Sequence, residues 1–234
     1  MSKRIISPAD GVLVQTSELW NTNSVVITGP TGDSMATVVV DPGWYPDEIG
    51  ELQAVVAACA PDRATHVLFT HGDFDHVVGW EDFPCARLIA HPEAARRDAA
   101  EIEGQVAGLD GRRGTIRPRP YRYPAKERFS APDNVAAEVA RDKPSGLNVG
   151  RETILFFPAP GHTGDGLFTV LPERGVLIAG DYLSDEEFPF IYHSVSDYKS
   201  TLLLAREICR RYGITKEVPG HGQVAMSADE IVRR

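Results

Sequence analysis

His71-Gly72-Asp73-Phe74-Asp75-His76 is the stretch on which the reading of this chain turns. It directly follows a short, mostly apolar run, His66-Val67-Leu68-Phe69-Thr70, of the kind that forms a strand buried on both faces. Two imidazoles and two carboxylates fall within six residues. Imidazole nitrogen and carboxylate oxygen are the donors that zinc, iron and manganese ions take. An ion pair or a helix cap rarely requires two histidines and two aspartates in one loop.

Three later segments share its character. Pro160-Gly161-His162-Thr163-Gly164 follows an apolar strand, Gly180-Asp181-Tyr182 follows Val176-Leu177-Ile178-Ala179, and Pro219-Gly220-His221-Gly222 follows the strand expected at 214–218. Each places one ligand-type side chain beside glycine at a strand end, where rigid scaffolds carry functional groups. Taken singly, a strand-end histidine is more often structural than liganding. All four segments in order point to one metal site.

The rest of the chain is consistent with an ordinary globular fold. Of 234 residues, 42% are hydrophobic and 24% charged, enough to bury a full core without disulfides or metals as staples. Lys and Arg total 24 against 33 Asp and Glu, a net charge of -9, which argues against sequence-independent binding of a phosphate backbone. The three cysteines, Cys59, Cys85 and Cys209, form no close pair and so no Cys-based zinc site. Cys59 and Cys209 lie on helix-like stretches and are expected to be buried thiols, which fits a reducing cytoplasm. Met1-Ser2-Lys3-Arg4 begins basic but leads into no apolar signal region, and no apolar run reaches membrane-spanning length. A cytoplasmic protein without membrane or nucleic-acid partners is the expectation.

Hydrophobic spacing predicts an opening meander of strands at 11–16, 24–28 and 36–40, with turn residues at 30–33. A helix at 47–60 follows, then strands at 66–70 and 86–90, and a helix opened by Pro92 and running to about residue 102. Residues 104–150, dense in Gly, Arg and Pro, read as an insertion or lid on a single domain spanning 1–234. The Arg/Tyr-rich part at 112–128 could clamp an anionic substrate, cover the site, or form a homodimer contact. Strands at 153–157, 167–171 and 175–179 come next, the last two as a hairpin around Pro172-Glu173-Arg174. A long helix at 196–212 is ended by Gly213, and a short one starts near Ser227 with Glu230 placed for a capping box. Two similar halves of strands and helices imply two sheets packed face to face with helices outside.

These motifs resemble the metallo-β-lactamase superfamily. The family pattern is Asp-x-Gly after an early strand, then His-x-His-x-Asp-His, then a single His, a single Asp and a last His. Asp41-Pro42-Gly43, the loop 71–76, His162, Asp181 and His221 match it across the chain. The resemblance implies an α/β fold, the four-layer αββα sandwich, and two divalent metal ions, zinc in most members. By position, His71, Asp73 and His162 would hold one metal, Asp75, His76 and His221 the other, and Asp181 would bridge them. Asp41 would steady the metal loop from behind. Asp73 stands where the family carries its second histidine. A harder carboxylate there favours iron or manganese, and the diiron branch of the family has a glutamate at this position.

The activity the resemblance implies is binuclear metal-dependent hydrolysis of a small ester, lactone or thioester by a metal-activated hydroxide, with Asp75 orienting the nucleophile. Tyr182 and His193 stand where some hydrolases of this fold contact the substrate, although a structural or surface role is the plainer reading of His193. Strand-borne His66 and His91 read as structural. The alternative is a non-hydrolytic di-metal protein, an iron redox or oxygen sensor or a scaffold, kept open by Asp73. A nuclease or phosphodiesterase fits the acidic balance less well.

Overall fold

Val38, Val39 and Val40 are consecutive in one strand, and their side chains part company. Val38 and Val40 enter the core between the two sheets, whereas Val39 packs into the layer on the opposite side. The two-residue period of a strand turns a continuous apolar run into two buried faces. Val176 and Ile178 against Leu177 and Ala179 repeat the division in the second half of the chain. Strands of this composition are stable only when covered on both sides, which sets the four-layer order.

The computed structural model describes residues 4–29, 37–59, 65–129, 144–149 and 152–234. Strands β1 (Arg4–Ala9), β2 (Val12–Thr16), β3 (Asn23–Ile27), β4 (Thr37–Val40), β5 (Thr65–Leu68) and β6 (Arg87–Ile89) form one sheet in chain order. β1 to β4 are antiparallel and β4 to β6 parallel. Strands β7 (Ser145–Val149), β8 (Glu152–Pro158), β9 (Leu167–Leu171), β10 (Val176–Gly180) and β11 (Lys216–Pro219) form the second sheet, in the order β11-β10-β9-β8-β7, antiparallel except between β10 and β11. Helices α1 (Pro46–Cys59) and α2 (Ala99–Arg113) cover the first sheet, and α3 (Val195–Tyr212) and α4 (Ala228–Arg233) the second. The expected αββα sandwich is the architecture found. Among the described residues, no helix is long and apolar enough to cross a membrane.

Three local expectations are corrected. Pro92 opens only a 3-10 turn, Pro92–Arg96; Arg97 is extended, and α2 begins after Asp98, whose carboxylate accepts the N–H groups of Ala100 and Glu101. A capping aspartate outweighs a helix-compatible proline as a start signal. The described part of the 104–150 stretch contributes side chains to the core rather than standing apart from it. α2 continues to Arg113 and buries Ile102, Val106 and Leu109, and Tyr121 and Tyr123 are buried beneath it. That apolar stripe is masked in the sequence by Gly104, Gly108, Gly111 and the charges between them. Residues 130–143 lie outside the described residues, as does the turn expected at 30–33. Finally, Cys59 is exposed, because the buried stripe of α1 ends at Val56, and Cys209 on α3 is half-buried.

The two sheets are tied together along one edge. The Leu167 N–H of β9 donates to the carbonyl of Thr70, just beyond β5, at 2.7 Å, and the Asn23 N–H of β3 donates to the carbonyl of Gly220, just beyond β11, at 2.7 Å. The loops after β4, β5, β8, β10 and β11 gather at this edge. Phe156 lies fully buried between the sheets. Phe156→Ala is expected to lower the unfolding free energy by about 3–5 kcal/mol, measured by denaturant titration.

Candidate metal centre

Asp41 ends β4 with a left-handed backbone, φ 46°, unusual for a residue with a side chain. Its neighbours hold it there. Its N–H donates to Leu68 at 2.9 Å, and its carbonyl accepts the Ser24 hydroxyl at 2.6 Å. Its carboxylate accepts the Thr70 N–H at 2.8 Å and the Thr70 hydroxyl at 2.6 Å. The same carboxylate takes His76 Nδ1 at 3.1 Å. A carboxylate only accepts, so Nδ1 of His76 carries the proton and Nε2 faces away from Asp41.

The other three imidazoles are set in the same way. His162 Nδ1 donates to the carbonyl of Phe190 at 2.6 Å and His221 Nδ1 to that of Trp20 at 3.0 Å. The Thr70 hydroxyl donates its hydrogen bond to Asp41, so at 3.1 Å it accepts from His71 Nδ1. All four histidines therefore turn Nε2 inward. Asp181, at the end of β10, stands among them. Its Oδ2 lies 3.5 Å from His71 Nε2 and 3.2 Å from His162 Nε2, while its Oδ1 lies 3.1 Å from His76 Nε2 and 3.7 Å from His221 Nε2. Asp73 Oδ2 joins the first pair, 3.6 and 3.3 Å from the same nitrogens. Asp75 Oδ2 joins the second, 3.7 Å from His76 and 3.2 Å from His221.

This donor set fits divalent cations. His71 Nε2, His162 Nε2 and Asp181 Oδ1 are buried without a hydrogen-bond partner. His76 Nε2 and His221 Nε2 face each other at 3.2 Å. Two ligands at tetrahedral zinc are about 3.3 Å apart, so these separations are those of donors sharing an ion. Glycine is required beside the ligands. A Cβ on Gly220 would collide with Asp181 Oδ1, and one on Gly72 with the Asp165 carboxylate at 2.7 Å.

Similarity to known proteins agrees. The sequence model described as the metallo-beta-lactamase superfamily matches residues 18–221. The chain belongs to the metallo-beta-lactamase superfamily. The metallo-beta-lactamase type 2 of Bacillus cereus is 25% identical over 194 residues, 82% of this chain; the match spans 64% of that enzyme's length. A metallo-beta-lactamase from Pontibacter korlensis has the same fold, with a TM-score of 0.61 at 16% identity over 99% of this chain and 96% of its own. The BLEG-1 B3 metallo-beta-lactamase superposes with a TM-score of 0.60 at 17% identity, over 94% of this chain and 96% of its own.

In this superfamily member the seven ligand-type residues assemble as two trios, His71, Asp73, His162 and Asp75, His76, His221, with Asp181 between them. Tyr182 is buried rather than facing the cavity. Its hydroxyl accepts the His162 N–H at 3.0 Å and donates to the Ala159 carbonyl at 3.1 Å, so it props the His162 loop instead of meeting a substrate. His193 sits in a cleft of about 490 Å³ that adjoins the metal-facing cavity through Asp73, Phe74 and Tyr192, and its ring lies 3.6 Å from Asp197. His91 caps the turn that follows it, accepting the Glu93 N–H at 3.2 Å. His66 stays within β5, away from both trios.

The metal-facing cavity, about 570 Å³, has an aromatic wall of Trp20, Phe74, Phe188, Phe190 and Tyr192, and Glu186 and Glu187 also line it. Sequence reasoning missed Trp20, Phe74, Phe188, Phe190 and the two glutamates, and missed Arg97 and Asp165 beside Asp73. The run Phe188-Pro189-Phe190-Ile191-Tyr192, too apolar for an ordinary loop, was the available signal. Glu187 also comes within ligand range of Asp181 and His221. Burial and the charge of Asp181 hold its carboxyl above the ordinary range.

The electrostatics are those of donors competing for protons. Burial alone would raise Asp181, but His76, His71, His162 and His221 outweigh it and hold its carboxyl well below the ordinary value. Burial would likewise lower His221; Asp181 and Asp75 outweigh it and push it up to about 9. His76 is also raised, chiefly by Asp181 and Asp75, whereas burial dominates at His71 and lowers it. Only a neutral Nε2 can bind a cation, so loading displaces protons. Zinc affinity of the metal-free protein is therefore expected to climb with pH through the loss of the His221 proton near pH 9, as followed by chelator competition. Asp41→Ala frees the His76 ring and is expected to weaken metal binding about 10–100-fold in the same assay.

Proposed function

We propose that this chain is a metal-dependent hydrolase with two divalent cations, acting on a small ester, lactone or thioester that carries an apolar group. The observation that carries the reading is the convergence of four inward Nε2 atoms and three carboxylates at the floor of an aromatic-walled cavity. Cations held by the two trios would supply a nucleophilic water at neutral pH and polarise the scissile carbonyl. The protein's own groups do the rest. Asp75, at the cavity floor beside His221, orients the nucleophile and accepts its proton on the carboxylate. Asp181 holds the two trios at a set separation through its two oxygens.

The wall favours an uncharged, partly apolar substrate. Phe190 and Tyr192 are stacked with ring centres 6.1 Å apart, Phe188 lies 6.3 Å from Phe190, and Tyr192 packs against the His162 ring at 5.6 Å. Phe188 is 76% exposed and Tyr192 72%, an apolar lip that a substrate side chain would cover. Exposed Glu186 in the cavity lining repels polyanions, which weighs against a nucleic-acid substrate.

The test is turnover by the zinc-loaded protein on short- and medium-chain lactones, esters and thioesters. Activity on one class above that of zinc alone is expected. Asp75→Asn should lower kcat/KM about 100- to 10,000-fold. A loaded, folded protein inert towards all three bond types would overturn the proposal.

A further inference from the structure

Asp73 occupies the first trio, yet its two oxygens do different things. Oδ2 faces His71 and His162. Oδ1 faces the other way and pairs with Nη2 of Arg97. Nη1 of Arg97 lies 3.5 Å from Oδ1 of Asp165, whose Oδ2 accepts the Gly72 N–H at 2.9 Å. Asp165 is buried, and the Arg97 side chain is mostly covered. One guanidinium thus spans two carboxylates, one of them a prospective ligand and the other a brace for the loop that carries it.

The arrangement answers a charge problem. An imidazole at position 73 would bring a neutral donor. A carboxylate adds a negative charge to a pocket that already holds Asp75 and Asp181. Arg97 cancels that charge from outside the trio and occupies one oxygen, leaving the other to face the metal position. Arg97 can do so because it is the extended residue between the Pro92–Arg96 turn and α2, where Asp98 takes over the capping.

We propose that Arg97 is a positioning residue that makes Asp73 a single-oxygen, charge-balanced donor, and that it thereby biases the first trio towards zinc over manganese. A one-oxygen donor beside two imidazoles suits the tetrahedral nitrogen-rich geometry of zinc. A free carboxylate, able to offer both oxygens at full charge, suits a harder ion of higher coordination number. The inference rests on the metal-site reading above but not on hydrolysis.

The test is a double-mutant cycle on the purified full chain, equilibrated with mixed zinc and manganese buffers and assayed for bound metal. Arg97→Met keeps the aliphatic stem and removes the charge. It is expected to move the zinc-to-manganese ratio about tenfold towards manganese. Arg97→Lys, which keeps the charge, should shift it less. In an Asp73→His background, Arg97→Met should leave the ratio unchanged. Thermal melting of the metal-free proteins reports folding, and Arg97→Gln, with a donor but no charge, carries the same expectation if Arg97→Met does not fold. An unaltered ratio in the charge-removed variant overturns the proposal. So does an equal shift in the Asp73→His background, which would place the effect of Arg97 on the Asp165–Gly72 loop. A wild-type chain that binds neither metal overturns the metal-site reading itself.

Discussion

Asp181 lies between four imidazoles whose ring N–H groups are all committed elsewhere, so that four Nε2 atoms converge on two carboxylate oxygens. Without a cation or extra protons, such a cluster sets lone pair against lone pair in a buried, weakly screening space, and buried polar atoms without partners are costly. The stability of this end of the molecule is therefore linked to what fills the cluster. Binding of a ligand to the native state alone stabilises the fold by mass action. The same property that makes the site functional makes it a weak point of the metal-free chain.

The sandwich exists to hold that cluster still. Parallel pairs β4–β5 and β10–β11 bring the ends of strands from both sheets to one edge, and backbone hydrogen bonds from Leu167 and Asn23 cross between the sheets at that edge. Behind the ligands, Asp41 accepts a strained backbone because Thr70, Leu68, Ser24 and His76 together fix it. Tyr182 performs a comparable service for the His162 loop, clasping it by its hydroxyl while its ring stacks on Tyr198 with centres 4.6 Å apart. Ligand geometry is thus set by residues that never touch a ligand atom's partner, which is the usual relation between a metal site and its surroundings.

The Asp73–Arg97–Asp165 group extends this logic to the one position where the chain departs from the family pattern. A change from a neutral donor to an anionic one is tolerated when a cation stands behind it. In the proposed function, the aromatic wall of the cavity favours apolar groups and exposed Glu186 in its lining disfavours polyanions.

Much of this was legible in the sequence. The order of most strands and helices followed from period and turn chemistry, which are local, but the edge strands β1 and β7 did not. The ligand residues could be named because few structural roles require histidine and aspartate beside glycine at successive strand ends, and the Asp73 departure was visible at once. What the sequence could not decide depends on distances between segments far apart in the chain. The counter-charge for Asp73 comes from Arg97, and nothing local distinguishes that arginine from Arg96 beside it. The role of Tyr182 depends on which way its ring turns from β10. The burial of α2 was hidden because its apolar stripe is thin and interrupted by glycines, and only the sheet beneath it shows that the stripe is enough. Residue chemistry therefore determined what the site is made of. Packing of the two sheets decided which oxygens, rings and charges meet, because those contacts exist only once both halves of the chain are closed on each other.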